Sequence, residues 1–258
     1  MKITVVTVCL NAEKTIGYTM RSVLSQTCHE MEYLIIDGKS DDGTLDAIDI
    51  YADDARVRIV SEKDNGLYSA MNKAVEMCTG EYIIFMNSGD AFCDEKVLED
   101  MRPHLQSDLV YGNVIKKKPK GDVLEKYNGK HKIMCLLLMG RMMCHQALFT
   151  RTEVMKKYRF DERIKICADY DFVMRAKKNN CSMKYVDKTV CIVDNVEGIS
   201  AQLDNFNLMR KEDDRSLKEN FLFYYYLVKI PKGLVRFFRR IYEKYAMGKI
   251  CQGSGTKR

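Results

Sequence analysis

Four short apolar runs at regular spacing constrain this chain most. They are ITVVTV (3–8), EYLIID (32–37), VRIV (57–60) and YIIFM (82–86). Apolar runs of this length, bounded by turn residues, read as strands, the first as buried and the fourth as buried on both faces. Helical patterns fill the gaps. Asn11 is placed to cap a helix running from Thr15 to Ser25, and a short helix follows over Thr44 to Tyr51. Leu67 to Thr79 reads as a third helix, stopped by Gly80 as a C-terminal cap. Strands alternating with helices of this length imply βαβ units and a parallel sheet. In such sheets ligands bind at the carboxyl ends of the strands.

Those ends carry acids: Asp37 after the second run, Glu62 and Asp64 after the third, and Asp90 after the fourth, in YIIFMNSGD. One acid after a strand is usually a turn residue. Three successive strand ends point to a site. Two common nucleotide motifs are missing. No G-x-G-x-x-G follows the first strand, and no G-x-x-x-x-G-K-[ST] is present.

Beyond residue 110 the pattern loosens. LVYGNV (109–114) is strand-like, KKKPKGD (116–122) reads as a loop or hairpin tip, and 130–143 is irregular. Asp169 to Lys178 reads as a helix, followed by a strand over SMKYVD (182–187). Charge changes across the same boundary. Residues 1–110 hold 10 Lys and Arg against 20 Asp and Glu, whereas 111–258 hold 32 against 16. The basic part suggests an anionic partner, either nucleic acid or an anionic membrane.

At 258 residues, 46% of them hydrophobic and 30% charged, the chain is globular. The N-terminus lacks a signal-peptide pattern, and no apolar stretch reaches the roughly 20 residues of a membrane span. A cytoplasmic protein is expected. Its ten cysteines fit free thiols, with no pair at zinc-knuckle spacing. Residues 218–258 hold ten Lys and Arg but only Glu219 and Glu243. In GLVRFFRRIYEKY (233–245), Leu234, Phe237, Phe238, Ile241, Tyr242 and Tyr245 share one helical face, with Arg and Lys on the others. That pattern suits an anionic membrane surface, the inner face of the plasma membrane, or packing on the catalytic domain or on another subunit.

The runs TVVTVCLNAEKTI, YLIIDGKSDDGT and SEKDNGLYSAMNKAVEMCTGEYIIFMNSGD, followed by MCHQALFTR and CADYDFVMR, together resemble the family-2 inverting glycosyltransferases. The enzymes most similar in pattern are bacterial ones that build capsule, O-antigen or colanic acid. The resemblance implies a GT-A fold, an α/β Rossmann-like mixed sheet flanked by helices, with a C-terminal helical extension. It implies a catalytic domain over 1–215, with its donor half at 1–110 and acceptor half at 111–215, and an extension over 216–258. It implies a nucleotide-sugar donor, UDP-linked, and a lipid-linked saccharide acceptor. It also implies a divalent metal, Mn²⁺ or Mg²⁺. Nucleic acid is not an implied partner, and a homo-oligomer is left open.

Residue by residue, the resemblance puts Thr7 and Asn11 where the first strand meets the nucleotide. It puts Asp37 and Asp64 on the base and ribose, and Lys73 toward the phosphates. NSGD occupies the D-x-D-like place, with Asn87 on the donor and Asp90 on the metal. Gly89 stands where relatives carry an acid. ADYD matches the E-D motif, with Asp169 as catalytic base, Ala168 in place of Glu, and Asp171 as a second candidate base near the acceptor. His145 and Gln146 match a His-Gln pair that touches acceptor and donor sugar. Tyr68 and Asn72 face the same end. The replacements at 89 and 168 leave open a non-catalytic scaffold as the alternative.

Overall fold

The computed structural model describes residues 1–119, 121–127, 143–194 and 206–229. Strands β1 (Ile3–Cys9), β2 (Met31–Asp37), β3 (Val57–Ser61) and β4 (Tyr82–Phe85) pair in parallel, in the order β3-β2-β1-β4. Helices α1 (Glu13–Leu24), α2 (Thr44–Asp49) and α3 (Leu67–Met77) connect them. β2 and β4 are buried along their whole length, as unbroken apolar runs require when helices cover both faces of a sheet. On α1 the residues Ile16, Thr19, Met20 and Val23 form the buried stripe.

The second part extends the same sheet in mixed sense. After β5 (Ala91–Phe92) and α4 (Val97–Met101) come β6 (Leu109–Lys117), β7 (Val123–Glu125), β8 (Leu148–Arg151) and β9 (Met183–Asp194). The path continues β4-β8-β6-β9-β5, with β8 antiparallel to both β4 and β6. β6 and β7 form the antiparallel hairpin whose tip the KKKPKGD stretch suggests. Helices α5 (Thr152–Tyr158), α6 (Ala168–Lys178), α7 (Phe206–Asn220) and α8 (Leu222–Lys229) complete the described elements. Phe160 joins three of them beneath the strand ends, its ring 5.3 Å from Tyr68, 5.6 Å from Phe85 and 5.7 Å from Phe172.

Two expected caps are corrected. The residue before α1 is Ala12, without a side-chain cap, and Asn11 sits just outside the helix with φ 51°. Its Oδ1 accepts instead from the Asp41 N–H at 3.1 Å, tying the β1–α1 turn to the β2–α2 turn. α3 ends at Met77, three residues before Gly80. Gly80 is needed for close approach: a Cβ there would lie 2.6 Å from the Thr4 backbone nitrogen. β9 runs to Asp194, well past the expected end at 187. α7 runs unbroken across 215–216, with Ser216 and Leu217 buried. The basic aromatic stretch 233–245 and the irregular stretch at 128–142 lie outside the described residues. No described helix is long and apolar enough to cross a membrane. The described cysteines are free thiols.

Candidate active site

Register brings the strand ends together. Asp37 pairs with Cys9 of β1 on one side and Ser61 of β3 on the other. The strand order reverses between β2 and β4, on either side of β1, so the carboxyl ends frame a crevice there.

The NSGD turn closes one wall. The Asp90 N–H donates to the Asn87 carbonyl at 3.0 Å, and Gly89 has φ +96°. That conformation belongs to the third position of a type II turn and suits glycine. An acid at 89 would be strained, so this geometry accounts for the missing first acid. α1 moors the turn. Thr15 and Ser88 share a hydrogen bond of 2.8 Å, and Thr19 Oγ1 donates to the Asp90 carbonyl at 2.7 Å.

The Asp90 side chain is 4% exposed. Its Oδ2 accepts from Gln146 Nε2 at 2.8 Å, and its Oδ1 from the Asp194 N–H at 3.1 Å. Burial raises its carboxyl to about 6, against the pull of those hydrogen bonds. Cys144 Sγ donates to Gln146 Oε1 at 2.6 Å, which leaves the Gln146 amide nitrogen for Asp90.

Asp169 lies in the first turn of α6, where the helix dipole favours a carboxylate. Its Oδ1 accepts from the Tyr170 N–H at 2.8 Å, and its Oδ2 faces His145 Nδ1 at 2.9 Å. On the other side of that ring, Asn87 Nδ2 stands 3.0 Å from His145 Nε2. An amide nitrogen only donates, so Nε2 accepts, and the ring proton sits on Nδ1 and donates to Asp169. The Oδ1 of Asn87 is buried with no hydrogen-bond partner among the described residues.

The other expected residues fall into two groups. Asp64 remains at the strand edge, its side chain 7% exposed, paired with Lys73. Lys73 also pairs with Glu62 at 2.8 Å, so its ammonium is held by two carboxylates rather than directed at open space. Asn11 is exposed at the end of β1. Thr7 and Asp37 are sealed. Thr7 Oγ1 donates to the Met86 carbonyl at 2.7 Å and lies 2.9 Å from the Tyr33 hydroxyl. Asp37 is 0% exposed and accepts from Ser61 Oγ at 2.6 Å and the Ser40 N–H at 3.1 Å. Its carboxylate shapes the loops around the crevice. Asn72 ties down the chain before α6 through the Phe160 backbone, and Tyr68 does so through the Ile166 carbonyl.

Asp171 is turned into the packing between α6 and α7. It is 4% exposed, ion-paired with Arg175 at 2.6 Å and bonded to Ser216 Oγ at 2.7 Å. Its oxygens fasten α6 to α7, and burial rather than lack of a lone pair keeps it from an acceptor. Ala168 is fully buried, so no functional group faces the site from that position.

Sequence reasoning missed α7. Glu212 accepts three backbone N–H groups, from Lys165 at 2.8 Å and from Ile166 and Cys167 at 3.0 Å each. It therefore anchors the segment leading into α6 from another helix. Asp213 beside it is raised to about 6, by burial first and then by nearby carboxylates including Asp169. A dense charge run reads as a solvated face, and no local pattern distinguishes these two acids.

A divalent metal would need hard oxygen donors. Among the described residues no three His, Cys, Asp or Glu converge as a metal cage. Each Asp90 oxygen accepts one hydrogen bond and keeps a further lone pair. That fits a cation taking one protein carboxylate and completing its shell from phosphate oxygens and water.

A family model, "Glycosyl transferase family 2", matches residues 4–165. A glycosyltransferase of Mycobacterium tuberculosis named for PGL/p-HBAD biosynthesis is 30% identical over 199 residues, spanning 74% of this chain and 76% of that protein. S. aureus TarS (1–349), solved in complex with UDP-GlcNAc, superposes with a TM-score of 0.69 at 20% identity, covering 86% of this chain and 68% of that one. The mannosyltransferase PcManGT of Pyrobaculum calidifontis, solved with GDP-Man and Mn²⁺, gives 0.62 at 15% identity, covering 86% and 63%. The fold is thus that of the GT-A enzymes, as the resemblance implied. The chain belongs to glycosyl transferase family 2 and is a glycosyltransferase.

Proposed function

We propose that this enzyme transfers a sugar from a UDP-linked donor to a hydroxyl of a lipid-linked glycan, inverting the anomeric centre, in the assembly of a bacterial surface glycan. The observation that carries this reading is the meeting of Asp90 and Asp169. They lie 79 positions apart in sequence and are bridged by the consecutive residues His145 and Gln146. An inverting transfer needs one base and one centre of positive charge, and no covalent intermediate.

Asp169 takes the proton of the acceptor hydroxyl as that oxygen attacks the anomeric carbon. The bond from that carbon to the diphosphate oxygen breaks, and the nucleoside diphosphate leaves with the electron pair. A divalent cation at Asp90, when bound, neutralises the charge growing on the leaving diphosphate. Asn87 Oδ1 takes a donor hydroxyl. Asp64, paired with Lys73, supplies an acceptor for a base N–H. Leu10, 63% exposed beside Gly38, offers an apolar surface for the base.

The test is a transfer assay with a panel of UDP-sugars and a lipid-linked saccharide, with the product anomer read by NMR. The expected product is the inverted anomer. Asp169→Asn is expected to lower kcat by about 10³-fold, within the usual range for loss of a general base. A retained anomer, or full activity in Asp169→Asn, contradicts the reading.

A further inference from the structure

Asn87 and Asp90 are the two ends of one hydrogen-bonded turn, and His145 and Gln146 are adjacent residues of one 3-10 turn. The second turn grips the first at both ends. His145 takes the Asn87 amide on Nε2, and Gln146 gives its amide N–H to Asp90. The far side of His145 reaches Asp169. We propose that His145 is a positioning residue that aims the base Asp169 by donating from Nδ1, rather than a group that contacts either substrate. This inference rests on the sugar-transfer reading above.

Three observations support it. First, both ring nitrogens are already engaged by the protein, at 2.9 Å and 3.0 Å, so neither is free for a sugar. Second, the turn that carries the ring is rigid. The Ala147 N–H closes it on the Cys144 carbonyl at 3.0 Å, and β8 follows at once, paired with β4 and β6. Gln146 and Ala147 are buried. Third, among the described residues the Asp169 carboxylate has one further hydrogen bond, a local one from the Tyr170 N–H. With the His145 bond both carboxylate oxygens have a fixed partner, so the carboxylate plane is set. The free lone pairs then have one fixed direction from which to meet an acceptor hydroxyl. A base held in its productive orientation gains mainly in the chemical step.

The arrangement also links the donor to the base. Asn87 turns its Nδ2 to His145, and its Oδ1 is buried with no partner among the described residues. A donor hydroxyl on Oδ1 fixes the amide, which fixes the ring proton on Nδ1.

Two amide variants separate the contacts, because an Asn amide nitrogen falls near the place of Nδ1 and a Gln amide nitrogen near that of Nε2. His145→Asn keeps a donor for Asp169, and His145→Gln loses it. Each is measured for kcat, for KM of donor and acceptor, and for UDP affinity by calorimetry, beside wild type and Asp169→Asn. We expect His145→Gln to lose about 10- to 100-fold in kcat, with both KM values and UDP affinity within about two-fold of wild type. His145→Asn should stay within about three-fold of wild-type kcat. Equal kcat losses in both variants, or losses seen in KM instead, would overturn the proposal. Unchanged kcat in His145→Gln alongside a dead Asp169→Asn would overturn it too, while leaving the transfer reading intact. A wild-type enzyme that binds UDP but transfers no sugar would remove the transfer reading and this inference together.

Discussion

At the scale of single residues, the site rests on a buried acid that is costly to ionise. Asp90 titrates at about 6 in the fold because burial penalises its charge, and near 4 in an unfolded chain. Between those values the folded state holds more protons than the unfolded one. The Asp90 contribution to stability is therefore greatest at low pH, falls as pH rises from about 4 to about 6, and is level above that. Asp90→Asn removes this dependence. In differential scanning calorimetry, the Tm of Asp90→Asn should gain on wild type as pH rises through that window, whatever the constant offset between the two. A gap independent of pH contradicts the assignment. Asp90, Asp169, His145 and Gln146 stand out in the sequence as candidates because the family resemblance rests on the short motifs that carry them. Their connections were not legible. Nothing in HQA announces that one side chain faces Asp169 and the next faces Asp90, since that depends on how β8 lies between β4 and β6.

At the scale of elements, β1, β2 and β4 could be read from their apolar runs, because burial on both faces leaves no room for polar alternation, whereas β3, at the sheet edge, is only partly buried. The caps were misread for a physical reason. Asn11 and Gly80 have the residue types of caps, but their conformations are set by tertiary contacts, the Asp41 N–H in one case and the Thr4 backbone in the other. α7 is the converse case, a charged helix that reads as solvent-facing yet carries Glu212 under three backbone N–H groups of the segment leading into α6. Hydrogen bonds to a charged group are the stronger kind, and removing the acceptor leaves buried donors unpaired. Glu212→Ala should lower the unfolding free energy by about 2 kcal/mol in urea titrations. It should also lower kcat more than UDP affinity, because Asp169 stands in the first turn of the helix that follows the segment Glu212 anchors. A variant as stable as wild type would show that α7 does not hold α6 in place.

At the scale of the whole molecule, one sheet performs two tasks. Its parallel part, β3-β2-β1-β4, presents Asp64, Asn87 and Asp90 at one edge, and its mixed part brings His145, Gln146 and the start of α6 to that same edge. The acidic and basic portions of the chain correspond roughly to these two parts. The central claim is that NSGD is a working metal and diphosphate site although Gly89 replaces an acid. Gly89 serves the turn, and Asp90 alone supplies the carboxylate. Titration of UDP into the purified protein by calorimetry tests this, with and without Mn²⁺, for wild type and Asp90→Ala at pH 7.5, well above the Asp90 titration range. We expect Mn²⁺ to tighten UDP binding by at least about 10-fold in wild type, and Asp90→Ala to lose that gain while keeping the metal-free affinity. A Mn²⁺ gain that survives in Asp90→Ala, or no gain in wild type, would contradict the account.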